Sequence, residues 1–256
     1  MTLTEDKIEQ IATLIANSLH LVIFTGAGIS TESGLPDFRG PEGIWTLRDK
    51  GLKPKLPKVP WHEVQPNPAH ISILELQNMG LMKFLISQNV DNLHLKSGIK
   101  PDFIAELHGN STLLKCFSCD QRIAKKDADW DDQLYGRGYR TSKEIQGQPR
   151  CSACGGRLIS SVINFGDPMP QKEMDDATWH SQHSDVFISI GSTLLVLPAA
   201  SFPRIALENG AQLIIINKGE TALDHVAHIR IEGKAGEILP KIVKQVKEKL
   251  DQMKNQ

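Results

Sequence analysis

The feature that most restricts the fold is a short apolar run that ends at two glycines: Leu21-Val22-Ile23-Phe24-Thr25-Gly26-Ala27-Gly28-Ile29-Ser30-Thr31. An unbroken apolar run of this length suits one strand buried on both faces, as in a parallel sheet. Gly26 and Gly28, with the hydroxyls of Ser30 and Thr31 behind them, end such a strand at a turn whose amides can face an anion. The third glycine of the dinucleotide fingerprint is missing, since Thr31 stands in its place. On this stretch alone, a tight strand-to-helix turn without a ligand stays open as a reading. The chain continues Gly34-Leu35-Pro36-Asp37-Phe38-Arg39-Gly40, which sets a rigid turn, an acid, an aromatic ring and a guanidinium on one loop. Loops of this kind, held by a rigid scaffold, tend to carry function.

The 256 residues suffice for one full domain, or for one domain with a smaller insert. A net charge of −1 leaves no global basic field for nucleic acid. No apolar run approaches the ~20 residues that span a bilayer, and Met1 to Asp6 lacks the basic-then-apolar pattern of a signal peptide. The expected location is therefore cytoplasmic. Four cysteines in two close pairs then favour a metal over disulfides.

In chain order, Thr4 is a candidate cap for a first helix whose apolar face is Ile8, Ile11, Ala12, Ile15 and Leu19. Residues 41–68 form a Pro-, Gly- and Lys-rich excursion anchored by Trp45 and Trp61. Asn67-Pro68 reads as N-cap and first residue of a helix that Gly80 ends. Further strands are expected at Lys83–Ser87, Val162–Phe165, Asp185–Ile190 and Gln212–Asn217, with helices near Gln171–His183 and Pro198–Asn209 and a last one carrying Ile238, Ile242, Val246 and Leu250. Apolar strands alternating with helices argue for an α/β fold with a doubly wound parallel sheet. The expected division is residues 1–110 and 157–256 for the large domain, with 111–156 as an insert and 41–68 contributing to the smaller unit.

Cys116-Phe117-Ser118-Cys119 and Cys151-Ser152-Ala153-Cys154 are two C-x-x-C knuckles. Each presents two thiolates to one ion, and two knuckles complete a closed tetrahedral zinc site. The spacer, residues 120–150, exceeds the ~15–20 residues usual between such pairs, so a polar loop around Lys125–Gln148 is expected within the site. With four sulfurs as ligands no coordination position stays open, and the expected role is structural.

Three polar groups follow expected strands: Asp37-Phe38-Arg39, Gln88-Asn89-Val90-Asp91 and Gly191-Ser192-Thr193, while Asn217 ends another. Ligands of open α/β sheets bind beyond the carboxyl ends of the strands, so these residues should meet at one crevice. His108 lies in a polar turn between the sheet and the cysteine block. Among nine histidines it would not stand out alone from His94 or His70.

Together, Gly26-Ala27-Gly28-Ile29-Ser30, Gly34 to Gly40, Gln88-Asn89-Val90-Asp91, Leu107-His108-Gly109 and the two cysteine pairs resemble the sirtuins, NAD-dependent protein-lysine deacylases. The resemblance runs from about Ile8 to Leu239, with the motifs in the family's order. The run Phe38 to Thr46 is similar to the subgroup that includes mammalian sirtuins six and seven. The resemblance implies a Rossmann-like NAD domain with a small inserted zinc domain, and an acyl-lysine peptide in the cleft between them. It implies NAD contacts at Gly26, Ala27, Gly28, Ser30, Thr31, Asp37, Phe38, Arg39, Trp45 and Gln88, with Gly191, Ser192 and Thr193 at phosphate or ribose, Asn217 at the adenine ribose and Ala235 near adenine. Asn89 and Asp91 belong with Gln88 at the nicotinamide end and count with His108 among the catalytic residues. His108 would be the general base on a ribose hydroxyl. Val162, Phe165 and Gly166 would take the acyl-lysine, and Cys116, Cys119, Cys151 and Cys154 the zinc.

Two departures are visible. Many sirtuins carry Arg-Pro before the strand leading into Phe-Gly-Glu, whereas this chain reads Ile159-Ser160-Ser161-Val162-Ile163-Asn164-Phe165-Gly166-Asp167. Ser192-Thr193 reverses the usual order of the two hydroxyl residues. The nearest rival activity at the same site is mono-ADP-ribosyl transfer or NAD hydrolysis. A dehydrogenase calls for an acid ending a strand ~20 residues after the glycines, where this chain has Trp45-Thr46-Leu47-Arg48. A zinc-ribbon module for nucleic acid meets the near-neutral charge. The expected partner is acylated lysine in a protein or peptide, with no membrane and no strong nucleic-acid signal.

Overall fold

The computed structural model describes residues 3–54, 60–135 and 143–254. Parts of the 41–68 excursion and of the expected loop between the cysteine pairs lie outside the described residues. Seven helices are present among the described residues: α1 (Leu3–Asn17), α2 (Ile44–Asp49), α3 (Pro68–Asn78), α4 (Leu93–Ser97), α5 (Gln171–His183), α6 (Phe202–Glu208) and α7 (Ala235–Lys254). The strands are β1 (Leu21–Thr25), β2 (Met82–Ser87), β3 (Ile104–Glu106), β4 (Leu113–Cys116), β5 (Arg122–Ala124), β6 (Leu158–Ser160), β7 (Val186–Ile190), β8 (Gln212–Asn217) and β9 (Ile229–Glu232).

Six strands form one parallel sheet in the order β3-β2-β1-β7-β8-β9. β1 and β7 are buried throughout because helices cover both faces. On one face α1, α3 and α7 pack Ile11, Ile15, Ile73, Leu76, Ile242 and Val246 against Ile23, Leu85 and Ile188. On the other, Ala177 of α5 and Phe202 and Ala206 of α6 meet Phe24, Phe84 and Phe187. A small sheet, β5-β4-β6, is antiparallel and lies beside the cysteine pairs, with Leu114, Cys116, Cys151 and Leu158 as its core.

The register fixes where a site can form. Thr25 of β1 stands beside Ser87 of β2 and Ile190 of β7. Ser87 in turn stands beside Glu106, and Ile190 beside Ile216. Gly26, Gln88, Leu107, Gly191 and Asn217 therefore all lie at one edge. The strand order turns between β1 and β7, the switch point where open α/β sheets leave a crevice.

At that point the two loops touch. Gly26 N–H donates to the Ile190 carbonyl at 3.0 Å and Gly28 N–H to the Gly191 carbonyl at 2.8 Å. A Cβ on Gly28 would lie 2.8 Å from Gly191 Cα, and one on Gly26 2.8 Å from the Gly191 oxygen. Both amides serve the neighbouring loop, so the glycine pair is needed for the approach of one chain segment to another. Gly191 also has φ +64, and a Cβ there would meet Ile29 N at 2.3 Å.

The capping of α3 is as the sequence implies. Asn67 Oδ1 accepts from Ala69 N at 2.9 Å, Pro68 begins the helix, and Gly80 follows at φ +73. Asn67 Nδ2 also donates to the Ile29 carbonyl at 2.7 Å, which ties the helix to the glycine turn.

Four expectations change. Val162–Phe165 is not a strand of the parallel sheet; the chain there is irregular, and the preceding β6 pairs antiparallel with β4. The small sheet thus takes its third strand from Leu158–Ser160. The two edge strands β3 and β9 are additions, short and without a continuous apolar run. α1 ends at Asn17, which leaves Leu19 83% exposed and off the buried face, and Thr4 falls within the helix instead of capping it. Among the described residues no helix is long and apolar enough to cross a membrane.

Gly191→Ala should lower stability by about 1–3 kcal/mol or more, through overpacking and a disfavoured positive φ. Urea unfolding of the two proteins checks this.

Candidate active site

His108 follows β3 on a tight turn. Leu107 N–H donates to the Ser87 carbonyl and Gly109 N–H to the Glu106 carbonyl, each at 2.9 Å. Gly109 has φ +76, and a Cβ on it would fall 1.9 Å from the Ser161 oxygen, so only glycine fits. The His108 ring is half-buried, and its Nδ1 lies 2.7 Å from the Gln88 carbonyl. A carbonyl only accepts, so Nδ1 carries the proton and Nε2 keeps its lone pair. Burial lowers the His108 pKa from its ordinary value, against a smaller opposing pull from the Gln88 carbonyl. The ring is therefore held neutral with one nitrogen free to take a proton.

The loop after β2 is folded on itself. Ser30 Oγ–H donates to Asp91 Oδ2 at 2.6 Å, and Asn89 Nδ2 donates to Ser30 Oγ at 3.1 Å and Asp91 Oδ2 at 3.2 Å. Asp91 Oδ1 accepts from Leu93 N at 2.9 Å and so starts α4. Ser30 is buried and turned towards Asp91, whereas Thr31 is exposed, its hydroxyl donating to the Gly28 carbonyl. Gln88 Nε2 donates to Ser192 Oγ at 2.9 Å across the β1 end, and Ser192 Oγ also accepts from Leu194 N. These contacts join Ser30, Gln88, Asn89, Asp91, His108 and Ser192 around one point of the sheet edge.

A second group is aromatic. Phe38 and Trp45 have ring centroids 4.9 Å apart, and Trp45 and Phe165 5.8 Å apart. Arg39 lies over the Trp45 ring at 4.7 Å. The loop holds its own shape: Ile44 N–H donates to the Asp37 carbonyl and Trp45 N–H to the Phe38 carbonyl, each at 2.9 Å. The Asp37 carboxylate accepts from Gly40 N at 3.0 Å, and burial raises its pKa. A Cβ on Gly40 or Gly43 would collide with that carboxylate. Phe165 is 84% exposed. Its segment is anchored by Ile163 N–H donating to the His108 carbonyl at 2.9 Å, so it bridges the aromatic group and the histidine turn.

Asn217 and Ala235 lie further along the edge. Asn217 Nδ2 donates to the Gly219 carbonyl, and Glu32 accepts from Gly236 N at 2.7 Å beside Ala235. Thr193 is half-buried next to Ser192. The four cysteine sulfurs lie within 4.8 Å of one another, with Cys116–Cys154 at 3.4 Å and Cys119–Cys151 at 3.8 Å, and none is in a disulfide.

Several residues of the site are not marked in the sequence. Glu106 is buried, bonded to Asn110 and 3.4 Å from Arg122, which also pairs with Glu173. Burial pushes its carboxyl up to about 7. His94 Nε2 lies 2.9 Å from Thr25 Oγ1, with the His70 ring 4.9 Å away. The one signal for such groups is a polar residue at the end of an apolar run, which Thr25 is.

The Sir2 family pattern matches residues 52–198. An "NAD-dependent protein deacylase 2" of Archaeoglobus fulgidus is 40% identical over 262 residues, covering 95% of this chain and 97% of that protein. The "NAD-dependent protein deacetylase SRT1" of Arabidopsis thaliana is 39% identical over 249 residues, and this chain spans 50% of that protein's length. A solved structure of Sir2Af2 bound to a myristoylated histone peptide superposes with a TM-score of 0.67 at 36% identity, covering 97% of this chain and 99% of that one. The fold and crevice define a Rossmann-like enzyme with a four-cysteine module. The chain belongs to the Sir2 family, the sirtuins, and is an NAD-dependent protein deacylase.

The buried histidines make stability depend on acid. Burial lowers His94 to about 3 and lowers His70 as well, below the ordinary value of 6.5. The unfolded chain thus binds protons that the folded chain refuses, and the contribution is complete above pH 6.5 and lost as pH falls towards 3. Thermal unfolding should show Tm dropping between pH 6.5 and 4, and dropping less steeply in His94→Asn.

Proposed function

We propose that His108 is the general base of the deacylation, and that NAD lies across the carboxyl ends of β1, β2, β7 and β8. The observation that carries this is the 2.7 Å bond from His108 Nδ1–H to the Gln88 carbonyl. In the neutral ring, which burial favours, it leaves Nε2 unprotonated at the sheet edge where the motif residues lie. NAD, when bound, would supply the ribosyl–nicotinamide bond that is cleaved and the ribose that takes up the acyl group, and with one water the products would be nicotinamide, deacylated lysine and O-acyl-ADP-ribose. His108 would accept the proton of the ribose hydroxyl that takes up the acyl group.

Gln88, Asn89 and Asp91 form the nicotinamide end of the site. Their mutual bonds to Ser30 and Ser192 fix the side chains in advance, so little ordering accompanies binding. Ala27, Thr31 and Arg39, with Gly191 to Thr193, serve the phosphates and ribose. Gly26 and Gly28 contribute by bringing these loops together. Phe38 and Trp45 cover the nicotinamide ribose, while Asn217 and Ala235 serve the adenosine end. Val162, Phe165 and Gly166 hold the acyl-lysine next to Trp45. The exposed Phe165 ring suits an apolar acyl chain, and the solved relative with a myristoylated histone peptide supports acyl-lysine peptides as substrates. The similarity of the run Phe38 to Thr46 supports a kinship with the subgroup that includes mammalian sirtuins six and seven.

The cysteine module fits zinc. A tetrahedral ion with bonds of ~2.3 Å sets its sulfurs roughly 3.8 Å apart, close to the spacings in this cluster. Cys116, Cys119, Cys151 and Cys154 would hold the ion, which closes β4 and β6 against the second knuckle. A reducing, cytoplasmic setting suits four cysteines that form no disulfide.

His108→Ala should reduce NAD-dependent deacylation of an acyl-peptide by at least about a hundredfold, the lower range for loss of general-base catalysis, with an unchanged circular dichroism spectrum. Normal turnover in that variant would refute the assignment. Cys151→Ala should lose zinc in elemental analysis and melt at a lower temperature; an unchanged metal content and Tm would count against a four-cysteine site.

A further inference from the structure

Asn110, two residues beyond His108, is fully buried, and its side chain uses every bonding position it has. Nδ2 donates to Asn92 Oδ1 at 2.9 Å and to Glu106 Oε1 at 2.7 Å. Oδ1 accepts from Thr112 N at 2.9 Å and from Thr112 Oγ1 at 2.7 Å. A carboxamide has two donor hydrogens and two acceptor lone pairs, so none is left over. The Asn110 main chain is engaged as well. Its N–H donates to Ser161 Oγ at 3.0 Å, and its carbonyl accepts the Ser161 hydroxyl at 2.7 Å and Leu113 N at 3.2 Å.

Ser161 is itself buried and stands one residue before the segment assigned to the acyl-lysine. Its N–H donates to the Leu113 carbonyl at 3.3 Å. Its carbonyl presses on Gly109, which has no side chain of its own to hold the turn. Ser161 also lies in the stretch, Ile159-Ser160-Ser161, where this chain departs from the family's usual sequence. One hydroxyl thus closes a two-bond clasp between the turn that carries His108 and the strand exit that leads to Phe165. One carboxamide then ties that clasp to the loop of Asp91, through Asn92, and to the small sheet, through Thr112.

We propose that Asn110 and Ser161 are positioning residues for the base: their clasp sets where His108 stands relative to the acyl-lysine segment. The inference rests on the reading of His108 as base and of residues 162–166 as the acyl-lysine segment. Removing the Ser161 hydroxyl strands the buried Asn110 N–H, while the Asn110 carbonyl keeps Leu113 N. The turn then loses its definition nearest the histidine, while the bonds among Ser30, Asn89 and Asp91, none of which includes Ser161 or Asn110, are kept.

The test compares two reactions of the full chain at saturating acyl-peptide. Exchange of labelled nicotinamide into NAD reports the making and remaking of the ribosyl–nicotinamide bond, which precedes the proton transfer to His108. Deacylation turnover needs both steps. Ser161→Ala should lower turnover about tenfold, near the cost of one unmade buried hydrogen bond. Exchange and KM for NAD should stay within about twofold, and Ser161→Thr, which keeps the hydroxyl, should restore turnover. A parallel fall in turnover and exchange, or unchanged turnover, overturns the proposal.

If Ser161→Ala does not fold, Asn110→Asp gives an independent test. It is isosteric but sets a carboxylate against Glu106, and adding Glu106→Gln restores a donor–acceptor pair with the roles exchanged. Turnover lost in the single variant and recovered in the double supports the clasp, and no recovery overturns it. His108→Ala, run alongside, separates the two levels. Normal turnover there removes the base itself, whereas lost turnover there with normal turnover in Ser161→Ala removes only the clasp.

Discussion

The site depends on the contact of two loops at the point where the strand order turns. Gly28 and Gly191 meet at backbone distance, and the bonds from Gly26 N–H and Gly28 N–H to the β7 end weld the loops together. Because β1, β2, β3, β7 and β8 end in register, every residue just beyond them is brought to the same level. A side chain at any of the three glycines would separate the loops and widen the crevice. The parallel sheet supplies the frame, and this contact decides how the ends of the frame face each other.

On that frame the polar groups are organised by saturation. Ser30, Asn89 and Asp91 satisfy one another, as do Asn110, Asn92, Glu106 and Thr112. Groups bonded in this way are costly to displace, since each leaves a buried partner unpaired. His108 differs from these groups: one ring nitrogen is tied to Gln88, and burial favours the neutral ring. The aromatic group around Trp45 is more exposed, and the Ile163 bond to His108 is one link that joins it to this part. The bonded polar groups and the more exposed aromatic group thus form different regions of one sheet edge.

Much of the fold was legible because central strands and capped helices are local events. The runs at Leu21, Val186 and Gln212 are too apolar for anything but buried strands, and Asn67-Pro68 begins its helix as such a pair should. The edges were not legible: β3 and β9 border fewer neighbours, and their short alternating patterns resemble loop sequence. Val162-Ile163 has the apolar pattern of a strand but no strand partner, since β6 takes the last place on the small sheet. Leu19 fits the helical spacing, yet the helix ends before it. Among site residues, the motifs led to His108, Asp91 and the cysteines. Asn110 and Ser161 carry no mark, because their roles come from partners 51 residues apart in the chain.

The sequence by itself determined the alternation of buried strands and amphipathic helices, the glycine turn, the two thiolate pairs and the set of residues able to perform the chemistry. These are properties of neighbouring residues, set by steric freedom, apolar spacing and side-chain chemistry. Only the tertiary structure decided that Gly26 and Gly28 serve the approach of two loops, that Ser30 turns inward to Asp91, and that Ser161, the residue after β6, bonds Asn110 beside His108. Each of these depends on which distant segments share one volume, and no local pattern encodes that. The packing of helices on both faces of the sheet brings those segments together.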